Sequence, residues 1–205
     1  MSGSASSPTT PPPNPGGPAG APGAAAQPPG PAATAGGGRQ WPPGPLIRPA
    51  EPGDAARVIA IRSHAIRTSP GLWIDDVPPQ EQQQRWAADH VRDGTMLVAQ
   101  GGGEVLGYAT ITPLRSYSGY RHTGEVSVYV AEGAQGRGVG AALLSGVLTL
   151  APALGMHSLS ALVEAGNAAS IALHRRRGFE EVGRMPEAGR KFDRWWDLIV
   201  LHRLL

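Results

Sequence analysis

A single mixed α/β domain, with a central sheet flanked by helices, is the fold class that residues 46–205 predict. Three observations carry that expectation. Strand-type and helix-type segments follow one another in the order β α α β β β α β α β β. One strand, glycine turn, helix and strand run consecutively, which implies at least one parallel βαβ crossover. The 160 residues from Leu46 to Leu205 are enough to bury a real core.

The 205-residue chain divides by composition. Residues 1–45 hold 13 of its 21 prolines and 10 of its 29 glycines, and Arg39 is their only charged side chain. They lack the apolar surface that would offset the entropy of ordering, so a disordered tail is expected there. The start MSGSASSP has neither the basic nor the apolar region of a secretory signal. Gly138–Leu159 carries no Asp, Glu, Lys or Arg, but it divides into a helix, a turn and a strand and is not read as a membrane span.

Net charge is +2, with one lysine, Lys191, and no basic run, which argues against nucleic acid as the partner. The absence of cysteine excludes disulfides, thiolate nucleophiles and Cys-type zinc sites. The six histidines show no metal-ligand spacing, so no metal is expected.

The elements follow in order. Leu46–Arg48 is a short strand. Asp54 is expected to cap a helix whose apolar face is Val58, Ile61, Ala65 and Ile66, ended by Pro70-Gly71. Pro79 opens a second helix reaching about Arg92. Thr95–Gln100 and Val105–Pro113 form a hairpin through Gly101-Gly102-Gly103, and Glu125–Val130 is the next strand. A helix from about Gly138 presents Val139, Leu143, Val147, Leu150 and Leu154 on one side. Ser158–Val163 is a strand, and Asn167–Arg177 a helix that Gly178 terminates. Phe179–Gly183 and Trp195–Leu204 are the last strands. Trp195 and Trp196 alternate faces, so one of them is expected in the core, and Arg175-Arg176-Arg177 suits a helix C-terminus.

The chemistry is concentrated between Val128 and Ala141. A strand runs into Gly133, Gly136, Gly138 and Gly140 and then into a helix. Unpaired N–H groups and the helix dipole favour an anion there, and glycine lets it come close. No Gly-Lys pair exists, which excludes a Walker loop. Gly136-x-Gly138-x-x-Ala141 could be written as a dinucleotide fingerprint, but it lies late in the chain and the next acid, Glu164, is too distant. Gln135-x-x-Gly138-x-Gly140 fits a third pattern, Gln/Arg-x-x-Gly-x-Gly/Ala, which resembles the acyl-CoA loop of a known family and by itself also fits a purely structural glycine turn. Downstream, Asn167, Ser170 and His174 fall on one helix face.

The Gln135–Gly140 motif, the Asn167/Ser170/His174 spacing, Arg177-Gly178-Phe179 and the opening Ile47-Arg48-Pro49-Ala50 together resemble the GNAT superfamily of N-acetyltransferases. Within it, Thr123–Val130 and Gly189–Asp197 are similar to the phosphinothricin acetyltransferase-like group. The resemblance implies a GNAT-type fold and transfer of an acetyl group from acetyl-CoA to a small primary amine, an amino acid or an analogue such as phosphinothricin or methionine sulfoximine. It further implies direct attack in a ternary complex, a cytoplasmic location and a homodimer. Acetylation of a protein or peptide amine, or CoA binding without turnover, are the alternatives.

The same resemblance assigns roles. Val128, Tyr129 and Val130 would pair with the pantetheine arm. Gln135, Gly136, Arg137, Gly138, Val139, Gly140 and Ala141 would hold the pyrophosphate, and Asn167 and Ser170 the arm beyond it. Glu125 is the candidate general base, with a solvent-facing strand end as the plain alternative and His122 as a rival. His174 would give a proton to the leaving thiolate or orient the sulfur, or serve only as a structural helix histidine. Trp73, Arg115, Tyr117 and Tyr120 are candidates for the acceptor pocket, where an arginine suits a carboxylate. Arg67, Leu114 and Tyr117 depart from the group's pattern.

Overall fold

The computed structural model describes residues 44–205, so the expectation for the tail lies outside the described residues except at Gly44 and Pro45. Seven strands and four α-helices follow the expected order. They are β1 (Leu46–Pro49), α1 (Ala55–Thr68), α2 (Gln80–Arg92), β2 (Met96–Gly101), β3 (Glu104–Pro113), β4 (Thr123–Val130), α3 (Val139–Ala153), β5 (Ser158–Glu164), α4 (Ala168–Arg175), β6 (Glu180–Lys191) and β7 (Arg194–Leu204). One sheet holds all seven strands in the order β1-β2-β3-β4-β5-β7-β6. β4 and β5 are parallel and every other neighbouring pair is antiparallel.

Period-2 alternation decides the layers. Val128 and Val130 point to the α3 face, where they approach Gly140. Tyr129 stacks on Tyr108, which meets Trp86 of α2, so odd-numbered β4 side chains face the α1–α2 layer. Val139, Leu143, Leu144, Val147 and Ala151 bury α3 against the sheet; Leu150 and Leu154 are half-buried at its margin. Gly146 lets that helix approach β1 and β2: a Cβ there would stand 2.8 Å from Ile47 Cγ2.

Three local expectations are corrected. Asp54 does not bond the first amides of α1. Its carboxylate accepts from Arg48 Nη1 and Nη2 at 2.7 and 2.8 Å and from the Glu51 amide at 2.8 Å, tying β1 to the start of α1. That bidentate pair outcompetes a cap and holds Asp54 below its usual range. The strand expected over Phe179–Gly183 extends to Lys191, because register shifts at Glu181/Gly183 and Met185/Gly189 break the alternation that marks a strand. Neither tandem tryptophan joins the core: Trp195 is exposed, and Trp196 is half-buried with its indole N–H donated to Lys191 O at 2.9 Å.

Candidate active site

The parallel strands β4 and β5 pair only from Thr123–Glu125 to Ser158–Ser160 and then part, although each continues for several residues. Thr123 O accepts from Leu114 N, and Ala131 N donates to Leu106 O, so odd-numbered β4 residues turn their backbone groups to β3. Val126 N–H still meets β5 at the last parallel pair, and the even-numbered Val128 and Val130 turn their backbone groups toward the gap beyond it. A cleft of about 590 Å³ opens there, walled by Val126–Val130, Leu162–Glu164, Asn167, Ser170, His174 and one stripe of α1.

At the outer end of β4 the chain turns through Gly133, Gly136 and Gly138, with φ of 77°, 72° and 78°. Glycine is the residue that takes these left-handed angles freely. Gly138 is the N-cap of α3 and brings no side chain to the first amides of that helix. Arg137 is exposed on this turn, Gln135 lines the cleft, and Val139 is buried beneath it. Gly140 and Ala141, half-buried, form the first turn of α3. The first amides of α3 are thus covered by no cap side chain, and of residues 135–141 only Gln135 lines the cleft.

α4 forms the opposite wall. Asn167 is its N-cap, accepting from Ser170 N at 3.0 Å. One turn later His174 is almost fully buried. Its Nδ1 lies 2.9 Å from Ser170 O, and its Nε2 is buried without a hydrogen-bond partner. A carbonyl only accepts, so Nδ1 carries the proton and the neutral ring presents a lone pair at Nε2. Burial holds the pKa below the ordinary 6.5. A ring in this form carries no proton at Nε2. What it offers is an acceptor.

Glu125 stands where β4 and β5 still pair, one residue before they part, and its side chain is on the α1–α2 face. Burial raises its pKa above 4.5, and the Arg115 guanidinium partly opposes that. A carboxylate moved toward neutrality is a better base at working pH. The rival, His122, is engaged by Gly155 O at 2.7 Å from Nδ1. Burial also pushes Tyr129 up to about 12, so its hydroxyl stays neutral.

The acceptor candidates do not gather in the cleft. Tyr117 and Tyr120 are exposed on the segment before β4, and neither they nor Arg115 nor Glu125 lines the cleft, which begins on β4 at Val126; Arg115 acts by its charge on Glu125. Trp73 packs on Gly189, with its Nε1 buried and unpartnered. Arg67, singled out in the sequence as a departure from the group's pattern, lines the cleft; its neighbours on the same α1 stripe, Arg57, His64 and Thr68, with Ser69 after them, were missed. The stripe's signal was present: these positions recur at helical spacing beside the apolar face. Among the described residues no His, Asp or Glu group is placed to hold a metal ion.

The profile of the acetyltransferase (GNAT) family matches residues 58–179. This chain belongs to the GNAT family. It is 40% identical over 157 residues to an L-methionine sulfoximine/L-methionine sulfone acetyltransferase of Pseudomonas aeruginosa, covering 76% of this chain and 91% of that protein. It is 35% identical over 163 residues to a phosphinothricin N-acetyltransferase of Streptomyces coelicolor, covering 78% and 95%. A Salmonella typhimurium acetyltransferase structure with its cofactor acetyl-CoA superposes with a TM-score of 0.76 at 37% identity, covering 78% of this chain and 94% of that one. The fold expected from the motifs is thus the GNAT fold, and the chain is an N-acetyltransferase. The parted strands and the glycine turn fit acetyl-CoA: backbone of β4 faces the gap beyond its last pair with β5, and the turn follows at the outer end of the same strand.

Proposed function

We propose that this GNAT enzyme acetylates the primary amine of a small molecule, an amino acid or an amino-acid analogue, by direct attack in a ternary complex. The observation that carries the reading is the gap between β4 and β5, into which Val128 turns its backbone groups, with the half-buried Glu125 carboxylate at the end where the strands still pair. The relatives named for methionine sulfoximine and phosphinothricin support the acceptor class.

Acetyl-CoA supplies an acyl group already activated as a thioester. In this reading the backbone of Val128–Val130 pairs with the pantetheine arm, and one of its N–H groups polarises the thioester carbonyl. Gln135–Ala141 hold the pyrophosphate. Asn167 and Ser170 face the arm from the far wall. Glu125 removes the amine proton, directly or through a water. His174 Nε2 accepts a hydrogen bond and so orients whichever donor enters beside it. Arg115 steers a carboxylate-bearing acceptor and tunes Glu125.

A homodimer and a cytoplasmic location belong to the same reading. The dimer draws support from the edge strand β6, where Val182 and Met185 stand exposed. Among the described residues no helix is long and apolar enough to cross a membrane.

Thiol release with acetyl-CoA across phosphinothricin, methionine sulfoximine, methionine sulfone, the common amino acids and short peptides tests the proposal. Turnover concentrated on small amino acids is expected. Turnover confined to peptides, or CoA binding with no turnover, would overturn it.

A further inference from the structure

The chain's one lysine lies far from the cleft in sequence and is 2% exposed. Burying an ammonium costs several kcal/mol unless every donor is satisfied. Lys191 satisfies all three. Nζ donates to Ile66 O at 2.6 Å, Ser69 O at 2.9 Å and Leu72 O at 2.6 Å.

The need for a donor there is written into α1. Ile66 O would ordinarily accept from the amide four residues on, and that residue is Pro70, which has no N–H. The chain then leaves the helix through Ser69–Leu72, a segment with little regular structure of its own. Ser69 and Gly71 line the cleft, and the Cβ position of Gly71 is 3.9 Å from Asn167 Nδ2.

The β6–β7 hairpin grips the segment at a second point. The Trp73 ring lies so close over Gly189 that any Cβ there would collide with it. β6 is the edge strand, exposed along most of its length and buried only at Lys191. The segment continues α1, on the sheet face to which the Glu125 side chain points, whereas α3 lies on the other face.

We propose that Lys191 is a positioning residue: its ammonium clamps the three carbonyls at the end of α1 and thereby sets the acceptor-side wall of the cleft. The inference rests on the reading that the cleft holds both reactants. The clamp acts on Ser69–Leu72 and through it on the amine; it touches no reacting atom.

Steady-state kinetics on the full chain test it, using the amine that wild type turns over best. Lys191→Met keeps the stem and removes the donors. Its kcat/KM for the amine is expected to fall about 10- to 100-fold, the range of a displaced reactant. Its KM for acetyl-CoA is expected to stay within about twofold of wild type, a split that a general loss of stability would not produce. A folded Lys191→Met with wild-type constants for both substrates overturns the proposal, as does an acetyl-CoA KM that rises in step. Should Lys191→Met not fold, Lys191→Arg decides. It keeps the charge, but a planar fork does not converge on three carbonyls. A raised amine KM with an unchanged acetyl-CoA KM supports the clamp, and a wild-type amine KM refutes it. Failure of the cleft reading itself would show separately, as wild type lacking turnover with any amine.

Discussion

Replacing Gly138 by alanine separates a backbone cost from a ligand cost. Gly138 caps α3 at φ 78° and ψ −1°, and a Cβ built there meets nothing within 4 Å. Without a ligand the price is therefore conformational only, about 1–2 kcal/mol for a left-handed non-glycine residue. For a domain of this size that lowers Tm by roughly 2–8 °C. Gly155 is the matched control: φ 73°, also with nothing within 4 Å, but at the other end of α3. Gly155→Ala should show a similar Tm loss. The two variants should differ in the KM for acetyl-CoA, raised about tenfold in Gly138→Ala, or about 1.4 kcal/mol, and unchanged in Gly155→Ala. Thiol release suits the assay because the chain has no cysteine of its own. Equal Tm losses with an unaltered KM in both would refute the anion cradle. No Tm loss in either would refute the backbone argument.

Glu125→Gln should lower kcat by about 10²- to 10⁴-fold with little change in the KM for acetyl-CoA. Its folded pKa is raised, so the stability linked to it is present below the unfolded pKa and lost as pH rises through the folded one. The variant should thus be at least as stable as wild type at pH 7 in urea melts, and a clear loss there would contradict the burial argument. For His174 the sign reverses: its folded pKa is lowered, so wild type loses stability as pH falls below about 6.5. His174→Gln should flatten that acid slope without abolishing it, because buried His90 is lowered too; an unchanged slope in urea midpoints from pH 7.5 to 5 would count against the neutral ring.

What was legible in the sequence was local. The glycine turn, the helix it opens and the Asn167/Ser170/His174 face all stand where spacing placed them, because turn chemistry and helical period act over a few residues. Gly178, at φ 79°, ends α4 as its position predicts. Three features escaped because their causes are not local. The parting of β4 from β5 leaves no mark, since both strands remain apolar runs on either side of it. β6 is hidden by its bulges. The Lys191 clamp binds backbone carbonyls about 120 residues away, and a carbonyl has no identity in a sequence. The His174 tautomer likewise depends on a carbonyl, and only the fold supplies its 2.9 Å partner.

The amides of the turn that opens α3 are where CoA should be felt first, and NMR can watch them directly. On titration with CoA, the backbone N–H signals of residues 136–141 should shift in step with saturation, while those around Gly155 stay still. Saturable CoA binding that leaves residues 136–141 unmoved would contradict the account.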